Sequence, residues 1–269
     1  GEFHAIGRLD PHAFADDPML ARILSIVPFG VPEEPAAGDG APIRALVGAG
    51  PSDPVLLFGG IYDWYDPTPL LVGWPALSAE FKGLKLLFAE NPNPESTPQE
   101  AYRRAVERAE AIGALGRGIF FLPWQPYRTR ANLYAAASLQ VVACRPGLEA
   151  ELSYRTRLLD AAWGGVPFVS AGGGSLAREL ERAGAGRDVP AGDAAGLLEA
   201  IRHFLRDAAA REQAAAAARR YAAERTWAAL VAPLKNAIAS LSVSPGRLPL
   251  PVVPPVPSRL RRLVRTLLG

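Results

Sequence analysis

Between Cys144 and Gly174 the sequence reads CRPGLEAELSYRTRLLDAAWGGVPFVSAGGG, and its charged residues are spaced as a binding site would space them. Glu149 and Glu151 stand in a predicted loop. Arg155 and Arg157 follow at the start of a predicted helix over 154–163. A helix N-terminus offers unpaired N–H groups and a positive partial charge to an anion. An arginine aimed there adds bidentate hydrogen bonds to phosphate oxygens. Residues two apart on a helix diverge by roughly 200°, so one arginine can take the anion while the other pairs with an acid. Arg155, nearest the helix start, is the favoured phosphate ligand, and a surface ion pair with Glu149 or Glu151 is the alternative for it. Asp160, a turn further on, is placed for its carboxylate to take both hydroxyls of a ribose; a solvated helix residue is the plainer reading. Glu149 and Glu151 are placed to receive hydroxyls of a second sugar, and the sequence does not choose between them.

Trp124, Gln125 and Tyr127 follow a predicted strand, where an aromatic ring and an amide could stack on and hydrogen-bond a base; core packing of Trp124 is the alternative. Gly59-Gly60 ends another strand, and Gly172–Gly174 a third, allowing close backbone approach to a ligand, with Ser175 as the expected cap of the next helix. The triplet is not GxGxxG, and no GxxxxGK[ST] occurs. GxSxG, HExxH and CxxC are also missing, which removes the usual supports for hydrolase, zinc-protease and thiol-redox readings. His4, Asp10 and His12 have no ligand spacing, so no metal is expected.

These residues need a scaffold, and the apolar pattern supplies one. Short apolar runs at 55–58, 84–89, 119–122, 139–143, 167–170 and 187–189 read as buried parallel strands. Helices are predicted between and after them, over 66–77, 98–114, 128–137, 154–163, 175–183, 193–206, 208–224 and 227–240. Asp66 and Asp193 serve as N-caps. Two more strands are predicted upstream, at 24–29 and 43–47. This alternation predicts an α/β fold, a Rossmann-like parallel sheet of about six strands with helices on both faces, plus C-terminal helices. Every motif named above sits just after a strand, where such sheets bind ligands.

The 269 residues carry a net charge of +2, so nothing compels a nucleic-acid partner. A single cysteine suits a reducing compartment and a cytoplasmic location. The start lacks the apolar core of a secretion signal, and no window approaches a membrane span of ~20 apolar residues. Residues 1–54 read as an N-terminal segment and linker remnant, 55–240 as the Rossmann-like domain, and 241–269 as a proline-dense tail. The tail ends in SRLRRLVRTLLG, with leucines on one helical face and arginines on the other. That helix docks on protein, or lies on an anionic membrane surface as a peripheral contact.

Taken together, VPFG, FGG-IYDWYDP, FFLPWQPY and ELSYRTRLLDAAWGGVPFV resemble the C-terminal, nucleotide-sugar-binding half of GT-B-fold retaining glycosyltransferases of the large fourth family. In that family a loop acid and a helix acid, seven residues apart, contact the donor, and the helix acid precedes small residues and Gly-x-Pro. Asp160, before Gly165-Val166-Pro167, resembles the helix acid and by that likeness holds the ribose. Counting back seven residues from there reaches Leu152, so the loop must shift for Glu149 or Glu151 to hold the sugar. The family's diphosphate-binding bases after the first strand are missing from 61–66. Arg155 and Arg157 are natural replacements, as in a subgroup whose helix starts S-[FY]-R-T-R, here with Tyr154 and Thr156 in the motif.

The resemblance implies a nucleoside-diphosphate sugar as donor substrate and no cofactor. Its acceptor domain would precede VPFG, and too few residues do so here. The expectation is therefore the donor-binding domain of a two-domain enzyme, weakly active or inactive alone. Two rivals are a sugar-nucleotide epimerase of related architecture and a non-catalytic nucleotide-binding module.

Overall fold

The computed structural model describes residues 26–90 and 98–240. Residues 29–231 form one compact unit, and 1–28 with 232–269 a second, of which 26–28 and 232–240 are described. The basic C-terminal helix expected near 258–269 lies outside the described residues.

The first unit is built on six parallel strands: β1 (Val55–Gly60), β2 (Lys85–Ala89), β3 (Ile119–Leu122), β4 (Leu139–Ala143), β5 (Phe168–Ala171) and β6 (Gly186–Val189). Their order is β3-β2-β1-β4-β5-β6, so the winding direction reverses between β1 and β4. Side chains alternate across the sheet. Val55 and Leu57 pack with Ile43, Val47, Tyr134 and Ala161 on one face. Leu56 and Phe58 pack with Leu70, Trp74 and Ala105 on the other.

The helices are α1 (Ala41–Leu46), α2 (Thr68–Glu80), α3 (Glu100–Ala111), α4 (Ala131–Ala136), α5 (Leu148–Leu152), α6 (Thr156–Trp163), α7 (Gly174–Arg182), α8 (Ala194–Arg206), α9 (Ala208–Ala223) and α10 (Trp227–Ser240). A single 3₁₀ turn, Tyr127–Thr129, precedes α4. Asp193 caps α8 as expected, accepting from Gly196 N at 2.8 Å. Asp66 accepts from Thr68 N at 3.1 Å, one position before the N-cap, Pro67.

Several local expectations are corrected. The segment expected to be a strand over 43–47 is α1, with Pro42 in its first turn and Ile43 and Val47, four apart, turned into the core. Residues 26–30 form no strand; Val31 instead makes an isolated bridge with Thr226. Glu149 and Glu151 stand on α5 rather than in a loop. The fifth strand and α7 are each displaced by one residue, and Ser175 caps nothing, since Gly173 is the N-cap.

The sheet is unevenly joined. β1 pairs with β2 along its whole length, with a bulge between Leu57 and Gly59. Against β4 it pairs only through Leu56↔Leu139 and Leu57↔Gln140. Beyond that point the edge of β4 is taken by the segment after β1: Asp66 N donates to Ala143 O at 2.8 Å, and Arg145 N donates to Trp64 O at 3.2 Å. β1 and β4 thus fork where the winding reverses.

Candidate functional site

The fork needs substitutes for the lost strand pairing, because buried carbonyls left bare are costly. Two side chains provide them. Gln140, fully buried in an otherwise apolar strand, donates Nε2 to Phe58 O at 3.2 Å. Arg157, from the first turn of α6, donates Nη1 to the same Phe58 O at 2.7 Å and Nη2 to Gly60 O at 2.8 Å. Its guanidinium lies 4.0 Å from the Tyr65 ring centre. Gly59 sits at φ +83°, which L side chains rarely adopt, and lets the chain turn beneath Arg157.

A cleft of about 550 Å³ opens above this fork. Gly59, Gly60, Trp124, Gln125, Tyr127, Thr156, Arg157 and Asp160 all line it. Among the described residues no carboxylate pairs with Arg157, so its charge stands uncompensated in the cleft. The amides of Thr156 and Arg157, at the α6 N-terminus, have no acceptor among the described residues. Trp124 and Tyr127 are exposed on the cleft, and Tyr62 and Trp64, which also line it, stack with centroids 4.8 Å apart.

Arg155 takes the other role open to it. It is 5% exposed and forms a two-pronged ion pair with Glu149, Nη1 to Oε1 at 2.8 Å and Nη2 to Oε2 at 2.5 Å. Ser153 Oγ donates to the same Oε1 at 2.7 Å. Burial alone would raise the Glu149 carboxyl, but these hydrogen bonds outweigh it and hold it below its ordinary value. Arg155 and Glu149 do not line the cleft, nor does Tyr154, which stacks on Phe29 and bridges Gly174. Glu151 is exposed on a separate groove beside Gly172 and Asp188. Gly173 and Gly174 are closed by protein: a Cβ on Gly174 would lie 2.1 Å from Ser153 O, and one on Gly173 2.4 Å from Ala177.

Asp160 lines the cleft with company that sequence reasoning missed. Arg130 donates Nε to its Oδ1 at 3.0 Å and Nη1 to Tyr127 O at 3.0 Å. The Arg130 guanidinium is sandwiched, 3.7 Å from the Tyr127 ring and 4.5 Å from the Trp163 ring. Burial pushes the Asp160 carboxyl up, and the hydrogen bond and charge of Arg130 oppose that only in part. Among the described residues no cluster of three His, Cys, Asp or Glu is placed to hold a metal. No helix among them is long and apolar enough to cross a membrane. A larger groove of about 920 Å³ between α2 and α3 shares only Tyr65 with the cleft.

No protein-family model matches the chain, and no curated protein sequence matches it. Solved structures do. A glycosyltransferase from Rickettsia africae superposes with a TM-score of 0.69 at 12% identity, over 85% of this chain and 62% of that one. The Anabaena protein HepE, solved in complex with UDP-glucose, gives 0.66 at 18% identity, over 86% of this chain and 61% of that one. The C-terminal domain of a group 1 family glycosyl transferase from Francisella tularensis gives 0.56 at 12% identity, over 76% of this chain and 97% of that one. The chain thus spans about three fifths of the length of the first two structures. The fold is that of one domain of the GT-B architecture, with helices added at its C-terminal end.

Proposed function

We propose that the cleft binds a nucleoside-diphosphate sugar and that the chain is the donor-binding part of a retaining glycosyltransferase. The observation that carries this is the uncompensated Arg157 guanidinium at the fork, beside the free amides that open α6. An anion held there meets a fixed cation and a helix N-terminus together. The same groups would stabilise the charge that develops on a departing diphosphate. The aromatic rim of Trp124 and Tyr127, with Gln125, suits a base, and Asp160 suits the ribose. Neither Glu149 nor Glu151 lines this cleft, so on this reading the sugar hydroxyls are assigned to neither of them. HepE, a structural relative, was solved with UDP-glucose bound, which supports the ligand class.

On this reading the acceptor is held by a second domain, and transfer needs both partners in line. Calorimetric titration of the folded chain with UDP, GDP and their glucose and mannose conjugates tests the ligand. Saturable binding is the expected result, and no heat from any of them at millimolar concentration sinks the proposal.

A further inference from the structure

With both loop acids away from the cleft, the sugar of the proposed donor has no holder among them. What the cleft does offer is an aromatic pair on the segment after β1. Tyr62 and Trp64 line it and stack nearly parallel, their planes 9° apart. Trp64 is 42% exposed although Tyr62 takes one of its faces. The segment is pinned on both sides of the pair. Tyr65 N donates to Tyr62 O at 2.9 Å and Ala101 N to Asp63 Oδ1 at 3.0 Å, while Trp64 O and Asp66 N are bonded to Arg145 and Ala143. An open tryptophan on so fixed a segment presents a preorganised apolar surface to whatever enters the cleft.

Its place in the sheet says what that would be. The bonds to Ala143 and Arg145 set the segment at the end of β4, whereas Trp124 and Tyr127 follow β3. β2 and β1 lie between, so the two aromatic groups spring from strands about 14 Å apart. Arg157 holds the end of β1, between them. Tyr62 adjoins that end, since a Cβ on Gly60 would lie 3.5 Å from its ring. A nucleoside-diphosphate sugar has a single base, for which Trp124 and Tyr127 are at hand; past the diphosphate a sugar ring remains. A pyranose carries its hydroxyls at the rim and has a face of C–H bonds, which packs on the negative face of an aromatic ring. We propose that Tyr62 and Trp64 form a platform for a pyranose ring, the ring being that of the donor or of a sugar acceptor. This rests on the cleft being a nucleotide-sugar site.

The test compares wild type with Trp64→Phe, Trp64→Leu and Trp64→Ala. Calorimetric titration uses UDP, GDP, UDP-glucose and GDP-mannose; saturation-transfer NMR uses methyl glucoside and methyl mannoside with UDP or GDP at saturation. If the ring is the donor's, Trp64→Ala is expected to weaken a sugar conjugate by about fivefold or more, with the bare diphosphate within about twofold. If it is the acceptor's, wild type is expected to transfer saturation to the C–H protons of a methyl glycoside, and Trp64→Ala to lose that transfer. In both cases Trp64→Phe keeps an aromatic face and is expected to retain most of the effect. Trp64→Leu, apolar but without a ring, takes the place of Trp64→Ala where the latter fails to fold. Equal weakening of UDP and UDP-glucose overturns the inference, because it gives the pair to the nucleotide; so does a loss of the ring that changes no ligand. Failure of wild type to bind any nucleotide is a different result: it removes the reading of the cleft, and this inference with it.

Discussion

At the scale of single residues, two arginines two positions apart have opposite fates. Arg155 is buried against Glu149, while Arg157 reaches the fork with its charge unpaired. Arg157→Ala is therefore expected to weaken UDP or GDP binding by about 1.5–3 kcal/mol, the range for a hydrogen bond to a charged group. Arg155→Ala should leave affinity within about threefold and instead lower stability to urea by about 1–3 kcal/mol. Reversed outcomes would return the phosphate to Arg155. The Glu149 carboxyl, held below its ordinary value of 4.5, has a definite pH signature. A depressed folded pKa gives stability that is present above the unfolded value and lost as pH falls through the folded one. Wild type should thus out-melt Glu149→Gln at about pH 6, with the gap closing towards about pH 3. The choice between the arginines was hidden in the sequence because helical spacing says only that they diverge. Which one meets β1 depends on where α6 lands. Arg130 was hidden more deeply, since nothing in YRTRAN sets it apart from Arg128. Its role comes from the Tyr127–Trp163 sandwich, made by residues far apart in the chain. The aromatic run Tyr62, Trp64, Tyr65 was in plain view just after a strand, and so was Gln140, an amide inside an apolar run.

At the scale of elements, the strands were legible because parallel strands buried on both faces need continuous apolar runs, and glycines or polar turns end each one. α1 was not, because Ile43, Ala45 and Val47 alternate like a strand. The exposure of Ala45 and Leu46 and the bond from Val47 N to Ile43 O, neither readable from the sequence, mark it as a helix. α5 was missed because five residues carry no readable period. The junction between α5, α6 and α7 depends on Gly174, at φ +76° and pressed against Ser153 O. Gly174→Ala should cost about 1–2 kcal/mol from backbone handedness alone, with the clash on top. Urea unfolding measures it, and an unchanged midpoint would show that the α6 start does not rely on this contact.

At the scale of the whole molecule, ligand binding and folding are linked, because whatever binds only the folded chain stabilises it. At a hundred times its dissociation constant a nucleotide adds about 2.7 kcal/mol. For a unit of this size that raises the melting temperature by about 5–10 °C. A thermal scan with UDP and GDP measures this, and no shift at saturation would mean the ligand does not distinguish the folded chain. The fork between β1 and β4 has one more consequence. β3-β2-β1 and β4-β5-β6 are each laced by full ladders, but β1 and β4 share only two register pairs; past them the link is Gln140 on Phe58 O and the backbone bonds of the segment after β1, with Arg157 tying β1 to α6. In mechanical terms the sheet has a compliant seam, and the cleft lies along it. Native-state hydrogen exchange should find the amides flanking this seam opening at lower free energy than those inside either half. A ligand spanning Gly59 and Arg157 would act as a brace, slowing exchange on both sides of a sheet it touches only at its edge.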